Sequence, residues 1–327
     1  MEYIILIVTL VGIVFGADLL LNGSVAIAKR FHVSDFVIGA VIVGIGTSVP
    51  ELVVSFFGAL KGNADVAIGN VVGSNIFNVL GILGLTALLF PIAIDKKNMT
   101  FEIPLCIGVS VLLTLLALNF FNGTPATISR IDGIVLLLIF AGYMWYSIAR
   151  DKKESTPIPP LTERANDKEV QCLMPVWKAV MKVVVGLGIL IVSCDMFVDD
   201  AVAIAKSWGV DDAIISLTLV ACGTSLPELA ASVAAAFKKN TQLALGNIVG
   251  SNIFNILLIL SVSSQVMPLV SADIALVDYA VMIGAAAFPL LFGFRGKIGR
   301  FGGVVMVLCF ALYTWYLMAG FLSITGL

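Results

Sequence analysis

Two glutamates within apolar sequence, Glu51 and Glu228, are the side chains best placed to do chemistry. Each follows a proline in a shared heptapeptide, GTSVPEL at 46–52 and GTSLPEL at 223–229. A charged group at the centre of a membrane helix costs about 2.5–3.5 kcal/mol on insertion-based scales, so intramembrane acids are functional by default. A single such glutamate could be a structural hydrogen-bond partner, but two at equivalent positions of a repeat favour a shared functional site.

Pro50 and Pro227 predict a break in the helix just before each glutamate. A mid-helix proline lacks an N–H group and displaces the preceding turn, which leaves the carbonyls near Thr47 and Thr224 without normal partners. In hydrocarbon a freed carbonyl needs another partner, and a bound cation is one. Helical spacing also places four hydroxyl side chains on the side of a glutamate: Thr47, Ser48, Thr224 and Ser225. For one hydroxyl of each pair we expect the alternative, a hydrogen bond to a carbonyl of its own helix.

A second repeated motif supplies amides and a hydroxyl: GNVVGSNIFN at 69–78 and GNIVGSNIFN at 246–255. Ser74 and Asn78 are four residues apart and share a helix face. Gly69 and Gly73 have the same spacing, which lets another helix approach closely. Packing alone does not explain why the polar residues recur as well. Those that recur at the offset of 177 are Asn70, Ser74, Asn75 and Asn78, matched by Asn247, Ser251, Asn252 and Asn255.

The groups in these motifs are nearly all oxygen donors, without a histidine or cysteine cluster. Oxygen-only sites select hard cations. Ca²⁺ accepts about six to eight oxygens in flexible geometry, whereas Mg²⁺ keeps its waters and a strict octahedron. Two bidentate carboxylates and the Thr47 and Thr224 carbonyls would supply about six oxygens, and two negative charges would neutralise one divalent ion. The motifs therefore predict a Ca²⁺ site and no other cofactor.

The composition places these motifs in a membrane protein, because 60% of the 327 residues are hydrophobic and only 12% are charged. A soluble domain is about 45–50% apolar and about 25% charged. The net charge of −2 gives no indication of nucleic-acid binding. The apolar runs are too long for core strands or for the strands of a membrane β-barrel. Ten candidate spans follow: 3–27, 36–60, 65–90, 101–120, 131–149, 179–204, 212–236, 243–266, 274–293 and 301–321.

The repeat divides the chain into residues 1–150 and residues 179–327, joined by a polar linker at 151–178. Each half holds five spans, and because five is odd, the second half enters the membrane from the opposite side. Inverted repeats of this kind are typical of secondary transporters with a binding site at the midplane. The predicted fold is an all-α integral membrane protein with ten transmembrane helices in two inverted five-helix repeats.

The distribution of Lys and Arg predicts the orientation. With the N-terminus outside, 16 of the 19 basic residues fall on the inside and three (Lys61, Arg130 and Lys206) on the outside. Cytoplasmic loops carry such an excess. We therefore expect a protein of the cell membrane, with both termini outside and the 151–178 linker in the cytoplasm.

At these motifs the sequence resembles the calcium/cation antiporter superfamily, specifically bacterial and archaeal sodium/calcium exchangers. The resemblance covers essentially the whole chain, with G-T-S-x-P-E in the second span of each half and G-N-x-x-G-S-N in the third. It implies one central cavity where Ca²⁺ and several Na⁺ compete, and alternating access in which the first and sixth spans slide across the others. Ca²⁺, Na⁺ and the lipid bilayer are the partners indicated, and no obligatory protein partner is evident.

The resemblance also implies individual roles. The Ca²⁺ ligands would be the carboxylates of Glu51 and Glu228, which bind both ions, and the carbonyls of Thr47 and Thr224. Flanking Na⁺ sites would be lined by Ser48, Ser74, Ser225 and Ser251, with the Gly44 and Ala221 carbonyls as weaker candidates. Asn78 matches the usual amide of the family, but Asn255 stands where many exchangers have Asp. Two central carboxylates instead of three leave the stoichiometry, the involvement of K⁺ and the net charge per cycle open.

Na⁺-driven Ca²⁺ exchange is the leading hypothesis. The alternative is Ca²⁺/H⁺ or K⁺-coupled antiport through the same glutamates. The proton-coupled relatives typically carry an acid in a G-N-x-x-E motif where this chain has Gly73 and Gly250, which favours Na⁺. A cation channel would also place glutamates and carbonyls at the midplane, but inverted repeats favour alternating access. An enzyme is the least supported class, because no nucleophile–base set or cofactor motif occurs.

Overall fold

The structure, a computed structural model, describes residues 2–31, 33–118, 127–154, 174–208, 221–270 and 274–325. These residues are predominantly helical. The helices are α1 (Glu2–Phe31), α2 (Asp35–Thr47), α3 (Val49–Leu60), α4 (Ala64–Leu89), α5 (Asn98–Ala117), α6 (Arg130–Glu154), α7 (Val176–Ser207), α8 (Leu226–Phe237), α9 (Thr241–Val266), α10 (Leu276–Gly293) and α11 (Arg300–Thr325). The predicted all-α membrane class is confirmed.

The described helices include eight that are long and apolar enough to cross a membrane, and α2 with α3 makes a ninth across a bend of 46°. The one predicted span that these nine leave out is the seventh, at 212–236. Its second part is α8, and residues 212–220 lie outside the described part of the chain. The division into ten spans thus stays a prediction.

Both prolines lie where a helix restarts. Pro50 is in the first turn of α3, and the preceding helix ends at Thr47. Pro227 is in the first turn of α8, and only a short helical turn, Ala221–Gly223, precedes it among the nearby described residues. The breaks that the prolines predict are present, because a proline fits the first turn of a helix better than its interior.

The two helices that carry the GNxxGSNIFN motif, α4 and α9, form the centre of the molecule. In α4, 72% of the most apolar window is buried and in α9 94%, against 17–39% in the other long helices. Each central helix contains a π-helical turn, at Phe77–Leu83 and Asn255–Ile259. Such turns are rare and often mark functional sites.

Helices α1 and α7 pack tightly against each other through small residues. A Cβ added at Gly16 would lie 2.9 Å from the Gly186 carbonyl oxygen, and one at Gly186 would lie 2.9 Å from the Gly16 carbonyl oxygen. The backbones therefore meet at a contact that only glycine permits on both sides.

Two short antiparallel strand pairs join the halves of the chain. β1 (Ile92–Ala93) pairs with β4 (Lys297–Ile298), and β2 (Thr127–Ile128) pairs with β3 (Leu269–Val270). β1 and β3 occupy equivalent positions at the offset of 177, so each half contributes the same strand to a different pair.

Candidate cation-binding site

Glu51 and Glu228 begin α3 and α8, and both are fully buried. The Ser225 hydroxyl donates to Oε1 of Glu51 at 2.7 Å, and the Ser48 hydroxyl donates to Oε1 of Glu228 at 2.7 Å. A serine of each half thus holds the glutamate of the other half. The second oxygen, Oε2, of each glutamate has no hydrogen-bond partner among the described residues. These crossed contacts bring the two glutamates to the same interface.

The serine contacts differ from the expectation that Ser48 would lie beside Glu51 of its own helix. That expectation assumed a continuous helix, but Ser48 is the non-helical residue between α2 and α3. Its hydroxyl therefore points across the interface to Glu228. Thr47 follows the alternative prediction in part, because its hydroxyl lies 3.0 Å from the Val43 carbonyl of its own helix but also 3.2 Å from Oδ1 of Asn247 in the other half. Both hydroxyls of this pair thus make contacts across the interface, and that of Thr47 makes a local one as well.

The equivalent Thr224 is half-buried, and its hydroxyl has no partner among the described residues. Val220, four residues earlier, lies outside them. The roles predicted for the carbonyls of Thr47 and Thr224, and for that of Ala221, therefore stay predictions.

Two asparagines that the sequence interpretation left without a role support the backbone of the glutamates. Asn70 Nδ2 donates to the Glu51 carbonyl at 3.1 Å and to the Ser55 hydroxyl at 3.0 Å. In the other half the equivalent contacts run from Asn247 to the Glu228 carbonyl at 3.2 Å and to the Ser232 hydroxyl at 2.8 Å. Their recurrence at the repeat offset was the signal that could have identified them.

Four further amides form reciprocal contacts between α4 and α9, which we call the asparagine ring: Asn75, Asn78, Asn252 and Asn255. Asn75 Nδ2 donates to the Asn252 carbonyl, and Asn252 Nδ2 donates to the Asn75 carbonyl, both at 3.2 Å. Asn78 Nδ2 donates to Oδ1 of Asn252, and Asn255 Nδ2 donates to Oδ1 of Asn75, both at 3.0 Å. Asn78 and Asn255 were predicted site residues, whereas Asn75 and Asn252 were not.

The remaining predicted serines lie in the same region. The Ser251 hydroxyl donates to the Gly44 carbonyl at 3.2 Å. The Ser74 hydroxyl lies close to Glu51 but has no hydrogen-bond partner within 3.5 Å. All ten predicted site residues are thus described, and every one except Thr224 is buried.

Several buried oxygens in this region lack a partner among the described residues. They are Oε2 of Glu51, Oε2 of Glu228, Oδ1 of Asn78, Oδ1 of Asn255, and the hydroxyls of Ser74 and Thr224. A buried acceptor without a partner costs about 1–3 kcal/mol. All six atoms are oxygens, which is the donor set of a hard-cation site. Within the described residues no three His, Cys, Asp or Glu side chains come together, so the carboxylate charge of this region comes from the two glutamates.

The lining of a separate cavity of about 440 Å³ includes Lys96, just before α5, and Arg150 in α6. Its lining combines basic and acidic side chains, including Asp35 and Asp95, and includes none of the predicted site residues. The candidate site is therefore the buried interface and not this cavity.

A sequence profile described as "Sodium/calcium exchanger protein" matches residues 1–149 and 178–319. The chain belongs to the sodium/calcium exchanger family. This exchanger is 38% identical over 321 residues to the putative antiporter CaxA of Alkalimonas amylolytica, covering 97% of the chain and 98% of that protein. It is 30% identical over 339 residues to the sodium/calcium exchanger MaX1 of Methanosarcina acetivorans, covering 95% of the chain and 97% of that protein.

The exchanger also resembles a solved structure of the sodium-calcium exchanger NCX_Mj, soaked with zero Na⁺ and Ca²⁺. The TM-score is 0.81 at 32% identity, and the match covers 97% of this chain and 98% of that chain. The resemblance stated from the motifs is thereby confirmed. The exchanger is a multi-pass membrane protein of a family of transporters, not of enzymes.

Proposed function

We propose that this exchanger moves Ca²⁺ across the cell membrane in exchange for Na⁺ by alternating access, with Glu51 and Glu228 as the central ligands. The observation that carries the proposal is the set of six unpartnered buried oxygens, which includes one oxygen of each glutamate. A dehydrated cation of matching charge would satisfy these oxygens and neutralise both carboxylates.

The serines would keep the carboxylates oriented toward the ion. Each glutamate has one oxygen occupied by a serine of the other half, at 2.7 Å, and one oxygen free for a cation. Ser74 and Ser251 would line the Na⁺ positions. Because both halves contribute, a shift of one half relative to the other would change the distances to the ion and so its affinity.

The reciprocal contacts also support an architecture of two inverted five-helix repeats, at 1–150 and 179–327, with a linker at 151–178. Contacts of the two glutamates and of the asparagine ring occur twice, once in each direction. A pseudo-two-fold axis between inverted repeats produces such pairs, and it passes through the midplane site of secondary transporters.

The strand pairs support the proposed orientation. β1 and β4 belong to loops whose basic residues place them in the cytoplasm, and β2 and β3 belong to loops predicted outside. With a wrong number of spans, the strand pairs would join loops predicted on opposite sides of the membrane.

Cys172 in the linker, which lies outside the described residues, gives a test of the orientation. A membrane-impermeant thiol reagent should label it in inside-out vesicles and not in intact cells, with Cys172→Ser as the blank. Labelling in intact cells would overturn the orientation.

Transport in proteoliposomes tests the function itself. ⁴⁵Ca²⁺ uptake should follow an imposed Na⁺ gradient and stay at background with K⁺ or pH gradients alone. Uptake driven by a pH gradient without Na⁺ would favour Ca²⁺/H⁺ antiport, in which the buried carboxylates carry protons instead. Sustained Ca²⁺ flux without any counter-ion gradient would identify a channel.

A further inference from the structure

The asparagine ring fixes which end of each amide faces which neighbour. A carbonyl oxygen can only accept a hydrogen bond, so the atom that Asn75 presents to the Asn252 carbonyl must be its amino group. Oδ1 of Asn75 must then face Asn255. The same argument, starting from the Asn75 carbonyl, sets the orientation of Asn252.

The orientations of Asn75 and Asn252 determine those of the predicted ligands Asn255 and Asn78. Because Asn75 presents an acceptor, Asn255 must present its amino group to it, and its own Oδ1 is left as a buried acceptor. Asn252 forces the same arrangement on Asn78. The two π-helical turns bring these residues to the glutamate helices, since the turn at Phe77 packs on α8 and the turn at Asn255 packs on α3.

We propose that Asn75 and Asn252 are positioning residues, which hold the amides of Asn255 and Asn78 so that carbonyl oxygens, and not amino groups, are offered to the transported cation. This rests on the proposed function, because it takes the buried interface as the ion site. Asn75 and Asn252 need no contact with the ion, since both polar atoms of each side chain already have protein partners.

The same geometry favours a hydrogen-bond donor at position 255 in this chain. An ionised aspartate there would turn a carboxylate oxygen toward Oδ1 of Asn75, and two acceptors repel each other. Rotating the Asn75 amide would only move the conflict, because Oδ1 would then face the Asn252 carbonyl. A serine at position 75 removes the conflict, since its hydroxyl rotates and can donate to a carboxylate.

The experiment is a double-mutant cycle at positions 75 and 255, with the Ca²⁺ concentration for half-maximal transport as the readout. Alone, Asn75→Ser should raise this concentration, because the Asn255 amide can then turn its amino group toward the ion. The expected rise is about three- to tenfold, which corresponds to the free energy of one neutral hydrogen bond. In the Asn255→Asp background the same Asn75→Ser change should lower it. The symmetric cycle with Asn252→Ser and Asn78→Asp should behave alike.

Asn98→Ser is the matched control, because Asn98 is also a buried amide whose Nδ2 donates to a side chain, Gln242, at 2.9 Å. It should leave the half-maximal concentration unchanged, and the melting temperature of each variant reports folding. An effect of Asn75→Ser with the same sign in both backgrounds would show a purely structural role and overturn the inference. Wild-type protein that fails to transport Ca²⁺ would instead refute the proposed function.

Discussion

The two copies of the GNxxGSNIFN motif differ in one residue of ten, yet they have different surroundings. In α9 every residue from 243 to 257 is buried, whereas in α4 Gly73 is exposed and Gly69 and Asn70 are half-buried. Helix α2 covers the motif of α9. A Cβ added at Gly246 would overlap the backbone of Phe36, and one added at Gly250 would overlap the backbone of Ala40. The residues that the repeat offset of 177 places opposite α2 are 212–224, and of these 212–220 lie outside the described part of the chain. Among the described residues, the cover by α2 is thus a feature of the motif in α9.

An ion pair also differs between the two halves of the chain. Just before α9, whose motif α2 covers, Lys238 contacts Asp18 at 2.6 Å and Asn22 at 2.8 Å, and Asn22 also donates to Asp18. We call this the Lys238 cluster. The equivalent residues of the other half are Lys61, Asp195 and Asp199, and no ion pair joins them, although the structure describes all three. The cluster therefore occurs in one half only among the described residues. Under the alternating access proposed above, the two halves would exchange these contacts.

The largest expected effect concerns a feature that the two halves share. Glu51→Gln and Glu228→Gln should each lower Ca²⁺ transport at least about a hundredfold, since removing one member of a buried charge set costs about 3–5 kcal/mol. ⁴⁵Ca²⁺ uptake at matched protein amounts measures this. Glu102→Gln, a buried carboxylate outside the candidate site, serves as the control. Near-normal flux in either site variant would remove that residue from the ion site.

Two equivalent glycines, Gly73 and Gly250, should respond differently to the same substitution. Gly250→Ala should destabilise the protein by about 1–3 kcal/mol, because its Cβ would overlap Ala40. Gly73→Ala should fold normally, since Gly73 is exposed. If the two halves exchange conformations as proposed, it should turn over more slowly, because Gly73 would then be covered as Gly250 is. Melting temperature and initial ⁴⁵Ca²⁺ flux report the two effects. Equal melting temperatures for both variants would contradict the difference in packing.

The serines test whether the centre is truly symmetric. Ser48→Ala and Ser225→Ala should raise the half-maximal Ca²⁺ concentration by a similar factor, about tenfold, because each removes one hydrogen bond to a carboxylate. The control is Ser110→Ala, whose hydroxyl bonds only to the Cys106 carbonyl of its own helix at 2.8 Å. A tenfold difference between the two site variants would show that one glutamate dominates binding.

The Lys238 cluster should give the smallest effect, because both partners of its ion pair are about one-third to one-half exposed. Lys238→Gln should speed amide hydrogen exchange in residues 238–243 about two- to threefold in Ca²⁺-free protein. Lys61→Gln should leave exchange in residues 61–66 unchanged. Mass spectrometry of labelled peptides measures both segments. Equal acceleration in the two variants would contradict the asymmetry.

The membrane class, the broken helices and the oxygen-rich motif residues could all be predicted, because each follows from residue type and repeat spacing. The partner of each serine could not. Helical spacing assigned Ser48 to Glu51, but that rule fails at a break, and only the meeting of the two halves pairs Ser48 with Glu228. The orientations in the asparagine ring also depend on backbone carbonyls from the opposite helix. The different burial of Gly73 and Gly250 could not be predicted, since the two motifs are nearly the same.

The strand pair β1–β4 bears on how the protein is made. When the ribosome has completed the first half, Ile92 has no partner until Ile298, near the end of the chain, is synthesised. Glu51 likewise lacks the hydroxyl of Ser225 during this time. Before the second half is made, the first half therefore holds a carboxylate in the bilayer without its hydrogen-bond partner, which is unfavourable in free energy. A nascent chain that stops after the first half thus lacks both the partner strand of β1 and the serine that holds Glu51, so the first half cannot form the proposed ion site alone.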